Sequence, residues 1–158
     1  MVEFRPLSAK DSIKVREWWL ERWGGETMIV HGEVFQPDSL DGFVAQEDDR
    51  WVGLITYRIH QDECEILSLD SLKPQRGTGT RLIQAVIQKA HEAACRRVYL
   101  STTNDNLDAL KFSQKIGFAL VTIRRNAVDE ASKIKPGIPL IGENGIPLRD
   151  EIELEFLL

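Results

Sequence analysis

Residues 63–94 read ECEILSLDSLKPQRGTGTRLIQAVIQKAHEAA and form the most informative stretch of this chain. The apolar run from Ile66 to Leu69 predicts a strand, and Pro74 marks a turn after it. Beyond Gly77 the apolar residues recur at spacings of three and four, from Leu82 to Ala90, which predicts an amphipathic helix. The N-terminus of this helix is therefore expected at the glycines.

A helix that begins at glycines is a candidate anion site. Gly77 and Gly79 lack a Cβ, so a phosphate can approach the backbone N–H groups of the first turn. The helix dipole adds about half a positive charge there. The flanking polar residues are Arg76, Thr78, Thr80 and Arg81. We expect a diphosphate to bind here; the alternative is a strand-to-helix turn that binds nothing.

The residues around the glycines narrow the kind of diphosphate. No Lys-Ser/Thr pair follows them, as a nucleoside triphosphate loop requires, and no third glycine stands where a dinucleotide site needs one. The pattern instead resembles the coenzyme A motif of the GCN5-related N-acetyltransferase (GNAT) family, Q/R-x-x-G-x-G/A. Gly77 and Gly79 match the two glycines of that motif, and Pro74 stands at its Gln/Arg position.

A second block strengthens the resemblance. Residues 104–118 read NDNLDALKFSQKIGF, which predicts a helix that ends at Gly117 before a new strand. The block is similar to the second motif of the family, N-x-x-A-x-x-x-Y-x-x-x-G-F, with Asn106, Ala109, Gly117 and Phe118 in register. Ser113 stands at the tyrosine position. The resemblance covers approximately residues 42–125.

The resemblance implies an α/β fold with a mixed, mostly antiparallel sheet, a splayed parallel strand pair and flanking helices. Residues 42–48 and 51–60 are strand-like and flank a polar turn, which predicts a hairpin. The strand from Glu63 is expected to pair next, and residues 96–101 should complete a parallel β-α-β unit. In the family, the strand at Leu67–Leu69 splays from its parallel neighbour. We expect residues 1–158 to form a single domain.

The ends of the chain fit this plan. The other expected elements are a strand over 2–7, a helix from Ser8 or Asp11 to about Trp23, an extended segment over 26–35, a strand over 118–123, a short helix over 127–134 and a strand over 151–158. The first helix carries an apolar stripe of Val15, Trp18, Trp19 and Trp23. Such a stripe is typical of core; the alternative is that one or two tryptophans line an acceptor pocket.

The activity that the resemblance implies is transfer of an acetyl group from acetyl-CoA to a primary amine, by direct attack in a ternary complex. Backbone groups near Leu67 and Leu69 would pair with the amides of the pantetheine arm, and Asn106 would hold it from the other side. The full set of candidate coenzyme-binding residues is Leu67, Leu69, Gln75, Arg76, Gly77, Thr78, Gly79, Thr80 and Asn106.

The amine must lose a proton before it attacks. An alkyl amine has a pKa near 10.4, so deprotonation at pH 7 costs about 4–5 kcal/mol. Glu63 and Glu65 lie two residues apart at the start of the central strand and share a face, so they are candidate bases; the alternative is a solvated strand end. His31 and Glu33 are competitors.

The leaving thiolate needs a proton, and the family commonly supplies it from a tyrosine where this chain has Ser113. A thiol has a pKa near 8.5, so thiolate leaves tolerably well and Ser113 can act through a water. Two other functions stay open: an acyl-CoA-binding sensor without catalysis, and a structural or interaction domain.

Composition limits the partners and the location. The 158 residues carry 20 Lys+Arg and 25 Asp+Glu, a net charge of -5, with no dense basic patch, so nucleic acid is not an expected partner. No signal sequence or membrane-spanning run is evident, and Cys64 and Cys95 match no metal or redox spacing, so we expect a cytoplasmic protein without a metal.

The acceptor is left open by the sequence. A small-molecule amine and a peptide amine both fit, and a homodimer through the C-terminal strand is compatible with the pattern. Residues 127–150 are a candidate lid in which Glu143 and Asp150, with Glu151 next to it, could attract a cationic amine; the alternative is a surface crossover.

Overall fold

The computed structural model describes residues 1–72 and 77–158, with Asp38 described by its backbone alone. Pro74, Gln75 and Arg76 of the first motif lie outside the described residues.

The described residues form a mixed α/β fold. The strands are β1 (Glu3–Pro6), β2 (Met28–Val30), β3 (Glu33–Phe35), β4 (Asp41–Glu47), β5 (Arg50–His60), β6 (Glu63–Ser71), β7 (Arg97–Thr103), β8 (Ala119–Arg124) and β9 (Glu151–Leu157). The helices are α1 (Ser12–Trp23), α2 (Thr78–Glu92), α3 (Leu107–Lys115) and α4 (Ala127–Ile134). The sheet is mostly antiparallel with one parallel pair, β6 and β7, which confirms the predicted fold class.

The chain divides into two compact units. The first comprises residues 1–28, 35–98 and 158, and the second comprises residues 29–34 and 99–157.

In the first unit, β1, β4, β5 and β6 pair in that order as an antiparallel sheet. The β4–β5 hairpin turns at Asp48 and Asp49, whose φ values of 50° and 66° are both positive, as a tight primed turn requires. Fully buried residues of this unit include Val44, Leu54, Leu82 and Val86. The predicted hairpin and meander are thus present.

Helix α1 is one of the two helices that flank this sheet. Before α1, the Ser8 N–H donates to Asp11 Oδ2 over 2.8 Å and so closes the 3-10 turn Ala9–Asp11, while Asp11 stands at the N-cap position of α1 without a side-chain capping bond. Gly24 ends α1 with a φ of 75°. Val15, Trp18 and Trp19 are buried, whereas Trp23 is 43% exposed. The tryptophan stripe is therefore core for most of its length, with its last residue at the surface.

In the second unit, β8 pairs antiparallel with β9. Asn106 caps α3, because its Oδ1 accepts the Ala109 N–H over 3.2 Å. Gly117 follows α3 with a φ of 112°, and a Cβ there would meet Phe156. The predicted glycine stop is confirmed, and it is needed both for the backbone conformation and for the packing.

Within residues 1–72 and 77–158, no helix combines the length and the apolar composition needed to cross a membrane.

Candidate active site

The N-terminus of α2 presents backbone N–H groups for which residues 1–72 and 77–158 supply no acceptor. Gly77 stands before the helix with φ 74° and ψ 8°, a left-handed conformation that favours glycine. The first intrahelical bond runs from the Arg81 N–H to the Gly77 carbonyl over 3.0 Å. The N–H groups of Thr78, Gly79 and Thr80 therefore have no intrahelical acceptor. The N-terminus of a helix attracts anions, and these are the residues at which the sequence predicts an anion site.

The first turn of α2 sits close to β5 because Gly53 has no side chain. A Cβ on Gly53 would lie 3.0 Å from Thr78 Cγ2 and 3.1 Å from Leu82 Cδ1. Thr78 is 3% exposed, so its methyl group packs against the sheet and its side chain serves mainly to position the helix. Arg81, which the sequence placed beside the anion site, holds its guanidinium 4.0 Å from the centre of the Phe4 ring.

Strand β6 contains a bulge in the middle of the predicted strand. Thr56 of β5 pairs with Ser68, but the next residue, Tyr57, pairs with Ile66. Leu67 is therefore an extra residue without a partner on β5. Nothing in the local sequence shows this, because the bulge arises from the register between two strands.

The bulge changes which side chains share a face. Glu65 lies opposite Arg58, Ser68 opposite Thr56, and Asp70 opposite Leu54. Positions 54, 56 and 58 of β5 are two residues apart and point to one side of the sheet. Their partners on β6 therefore point to that side as well. Strict alternation along β6 would have placed Glu65 and Asp70 on opposite sides. Glu63, paired with His60, belongs to the same face, in agreement with the prediction for Glu63 and Glu65.

The two predicted bases already have arginine partners. Glu63 accepts from Arg96 Nη2 and from Arg97 Nε, each over 3.1 Å. Glu65 is 1% exposed and lies 3.5 Å from Arg58 Nη2. In both cases a guanidinium inside the fold compensates the carboxylate charge.

Asp70 is a third carboxylate on this face, and it was not among the residues predicted from the sequence. Trp18 and Trp23 of α1 each donate their indole N–H to Asp70 Oδ2, over 3.2 Å and 2.8 Å. Burial raises the pKa of Asp70, while the two indole hydrogen bonds and the charge of Arg22 act in the opposite direction. The sequence signal that could have found it is an aspartate inside an apolar strand.

Trp18 also borders a small groove. The groove has a volume of 190 Å³ and is lined by Lys14, Glu17, Trp18, Glu21 and Trp51. The Trp18 and Trp51 rings are 6.2 Å apart, and Lys14 Nζ lies 5.7 Å from the Trp51 ring. This groove on α1 is thus lined by aromatic and charged side chains.

In the second unit, Ser113 is buried on α3, where the second motif predicted it. Asn106 uses Oδ1 to cap α3, and within residues 1–72 and 77–158 its side-chain N–H groups make no hydrogen bond. Of the candidate coenzyme residues, Asn106 lies in the second unit and the described others lie in the first, while Gln75 and Arg76 are outside the described residues.

The candidate lid, residues 127–150, is hydrogen-bonded to Asn104 and Asp105 through its C-terminal part. Asn104 Oδ1 accepts the N–H groups of Arg149 and Asp150 over 3.0 Å and 2.9 Å, and Asp105 Oδ2 accepts the Glu143 N–H over 2.8 Å. Of the acidic residues considered for a cationic amine, Asp150 pairs with Arg149 over 2.9 Å. Glu151 similarly pairs with Arg124 over 2.9 Å.

Across residues 1–72 and 77–158, no group of three or more His, Cys, Asp or Glu side chains is arranged to hold a metal ion.

Known proteins with a similar sequence identify the family of this chain. Residues 10–118 match the model of the acetyltransferase (GNAT) family. The uncharacterized protein YdhI of Bacillus subtilis (strain 168) is 44% identical over 137 residues, which cover 86% of this chain and 86% of that protein.

Solved structures show the same fold. A GNAT family acetyltransferase from Elizabethkingia anophelis with acetyl-CoA bound has a TM-score of 0.70 at 22% identity, covering 99% of this chain and 98% of that one. A Bacillus subtilis acetyltransferase in complex with CoA has a TM-score of 0.66 at 19% identity, covering 99% of this chain and 97% of that one. The chain described here belongs to the GNAT family of acetyltransferases.

Proposed function

We propose that this protein is an acetyl-CoA-dependent N-acetyltransferase that transfers the acetyl group to a primary amine by direct attack in a ternary complex. The observation that carries the proposal is the start of α2 at Gly77, with three backbone N–H groups that lack intrahelical acceptors, next in the chain after the bulged strand β6. Two structural neighbours that hold acetyl-CoA and CoA support it.

The diphosphate of the coenzyme would bind at the N–H groups of Thr78, Gly79 and Thr80, where the helix dipole favours negative charge. Gln75 and Arg76 precede these residues in the motif and are proposed as further contacts. The amides of the pantetheine arm would pair with backbone groups of β6 near Leu67 and Leu69. Because the bulge leaves Leu67 without a partner on β5, that strand has backbone groups to offer.

In the reaction, the amine nitrogen attacks the acetyl carbon, the C–N bond forms, and the C–S bond breaks. A backbone N–H of β6 near the bulge would stabilise the oxyanion that develops on the acetyl oxygen. Glu63 and Glu65 are the proposed acceptors of the amine proton, and each would act in the presence of its arginine partner. Ser113 would protonate the departing thiolate through a water.

Calorimetric titration with acetyl-CoA tests the coenzyme site. Gly79→Glu places a carboxylate among the helix N–H groups, and two like charges 4 Å apart near a protein surface repel by about 4 kcal/mol. We expect saturable binding by the wild type and at least about 100-fold weaker binding by Gly79→Glu. Glu92→Gln, an exposed position at the far end of the same helix, is the matched control and should bind as the wild type does.

Circular dichroism must show that Gly79→Glu is folded, because Gly79 is buried. A folded wild type that binds no acetyl-CoA would contradict the proposal. Equal affinity of wild type and Gly79→Glu would place the coenzyme elsewhere.

Ser113 also motivates a second function, an acyl-CoA-binding sensor without catalysis, because a serine replaces the tyrosine of the family motif. Release of free thiol from acetyl-CoA across a panel of amines separates the two functions. An enzyme gives amine-dependent release with at least one acceptor, whereas a sensor binds acetyl-CoA and gives none.

A further inference from the structure

We propose that Asp70, held by Trp18 and Trp23 on the α1 side of the sheet, is the carboxylate that binds the acceptor as a primary alkylammonium ion. This inference rests on the proposed function and assigns its acceptor to a class: a cationic alkyl amine rather than a neutral aryl amine or an alcohol. It gives Asp70 a role in binding and specificity, and it assigns no covalent step to this residue.

Asp70 lies on the side of the sheet that faces away from α2. The bulge at Leu67 turns Asp70 to the same side of the sheet as Glu65 and away from α2. The α2 side is identified by Gly53, whose missing Cβ would meet Thr78 and Leu82. Asp70 therefore lies three residues beyond the strand position proposed to bind the pantetheine, on the face opposite the helix proposed to bind the diphosphate.

Asp70 differs from Glu63 and Glu65 in its charged partners. Glu63 pairs with Arg96 and Arg97, and Glu65 pairs with Arg58. Among the described residues, the hydrogen-bond donors to Asp70 are neutral indoles. The nearby Arg22 directs its guanidinium over the Trp18 ring, 4.8 Å from the ring centre. Of these three carboxylates of β6, Asp70 is the one without a described ion pair, and the charge of Arg22 acts on it only from a greater distance.

The Asp70 carboxylate can accept further hydrogen bonds. Both indoles donate to Oδ2, so within residues 1–72 and 77–158 no hydrogen bond reaches Oδ1. A carboxylate oxygen accepts readily from an ammonium group, which carries three donors. Trp23 is exposed to solvent, and the face of an indole attracts cations. An alkylammonium can therefore approach Asp70 past Trp23.

The cost of burying this carboxylate supports the same role. Burial raises the pKa of Asp70, which means that the negative form is destabilised in the free protein. A bound ammonium ion would compensate the charge and remove part of this cost. The carboxylate is then less favourable in the free protein than in the complex, as expected of a binding group.

The test compares wild type, Asp70→Asn and, as a matched control, Glu26→Gln, an exposed position just after α1. Asparagine keeps an oxygen that can accept the two indole N–H groups and removes the charge. We expect the KM for n-butylamine to rise about 10- to 100-fold in Asp70→Asn, as for loss of a charged hydrogen bond, with the acetyl-CoA Kd unchanged. Glu26→Gln should match the wild type.

A second readout does not depend on turnover. In the CoA-saturated protein, n-butylammonium chloride should change the tryptophan fluorescence saturably, because the indoles of Trp18 and Trp23 are hydrogen-bonded to Asp70. The uncharged analogue n-butanol should not change it. Asp70→Asn should lose this response. Its Tm should equal or exceed that of the wild type, because the substitution removes a half-buried charge and keeps an acceptor for the two indole N–H groups.

The outcomes separate this inference from the proposed function. Acetylation of amines with an unchanged KM in Asp70→Asn would overturn the inference and leave the enzyme assignment standing. A lowered Tm with a retained fluorescence response would show that Asp70 only joins α1 to β6. A fluorescence response that requires Asp70, in a protein that acetylates no amine, would support the inference and contradict the proposed reaction. No response in the wild type would overturn the inference.

Discussion

Replacing Gly53 with alanine should loosen the contact that positions the first turn of α2. The new Cβ would lie 3.0 Å from Thr78 Cγ2, 3.1 Å from Leu82 Cδ1 and 3.2 Å from the Asp70 carbonyl oxygen. The first two atoms are side-chain tips and can yield. The third belongs to the backbone of the neighbouring strand, so part of the crowding must be relieved by moving α2 or β6.

The magnitude follows from two opposing effects. Overpacking a tight interior costs about 1–3 kcal/mol. Alanine in place of glycine regains about 0.5–1 kcal/mol because the unfolded chain loses less freedom on folding. The net loss is then at most about 2.5 kcal/mol, with a central value of about 1 kcal/mol, which corresponds to a fall in Tm of about 2–4 °C for a chain of this size. Displacing the N–H groups of Thr78 and Gly79 should also weaken acetyl-CoA binding by about 3- to 10-fold.

The assays are urea unfolding, thermal unfolding and calorimetric titration with acetyl-CoA. Thr78→Ser removes Cγ2, the nearest of the three atoms, so the double variant should recover part of the loss. We expect a coupling free energy of about 0.5–1 kcal/mol from the double-mutant cycle. Wild-type stability and affinity in Gly53→Ala, or additive effects of the two substitutions, would refute the reasoning.

Three further predictions concern other parts of the fold. The Arg5 guanidinium holds the pKa of Asp11 at about 2, below its usual value of 3.8, so this pair should stabilise the protein above about pH 4 and cease to do so as the pH falls toward 2. Arg5→Ala should cost only about 1 kcal/mol at pH 7, since Arg5 is 42% exposed, and its unfolding curve should approach that of the wild type near pH 2; a constant difference at all pH values would refute the assignment. Burial raises the pKa of the Cys64 thiol to about 12 and also raises that of Cys95, so neither should react with a thiol reagent at pH 8 until the protein unfolds; rapid labelling of the native protein would contradict this. Asp105→Ala should lower stability by about 1–3 kcal/mol and expose residues 136–147 to proteolysis, because the buried carboxylate holds the Glu143 N–H; unchanged digestion would show that this bond does not anchor the segment.

Much of the fold was predictable because its signals are local. The apolar spacing of α2 is set by the helix period, and residues Leu82, Ile83, Val86 and Ala90 are buried as that spacing predicts. Gly24 and Gly117 end helices with positive φ values, a conformation that glycine adopts at little cost. The polar pair Asp48-Asp49 turns the β4–β5 hairpin.

The site was predictable only in part. The glycines of the first motif gave the start of α2, and the two motifs together indicated the family. Glu63 and Glu65 were placed on one face correctly, but their arginine partners come from β5, from the first residue of β7 and from the residue before it. Such partners are distant in sequence, and no local pattern pairs them.

The sequence by itself determined the family, the order of the elements and the helix start that we propose binds the coenzyme, because each of these depends on neighbouring residues. The tertiary structure decided which carboxylates share a face and which of them have a counter-charge. The register of β5 against β6 places an extra residue at Leu67 and so turns Asp70 toward Trp18 and Trp23. That register depends on the pairing of whole strands, and the side-chain period of two gives no sign of it.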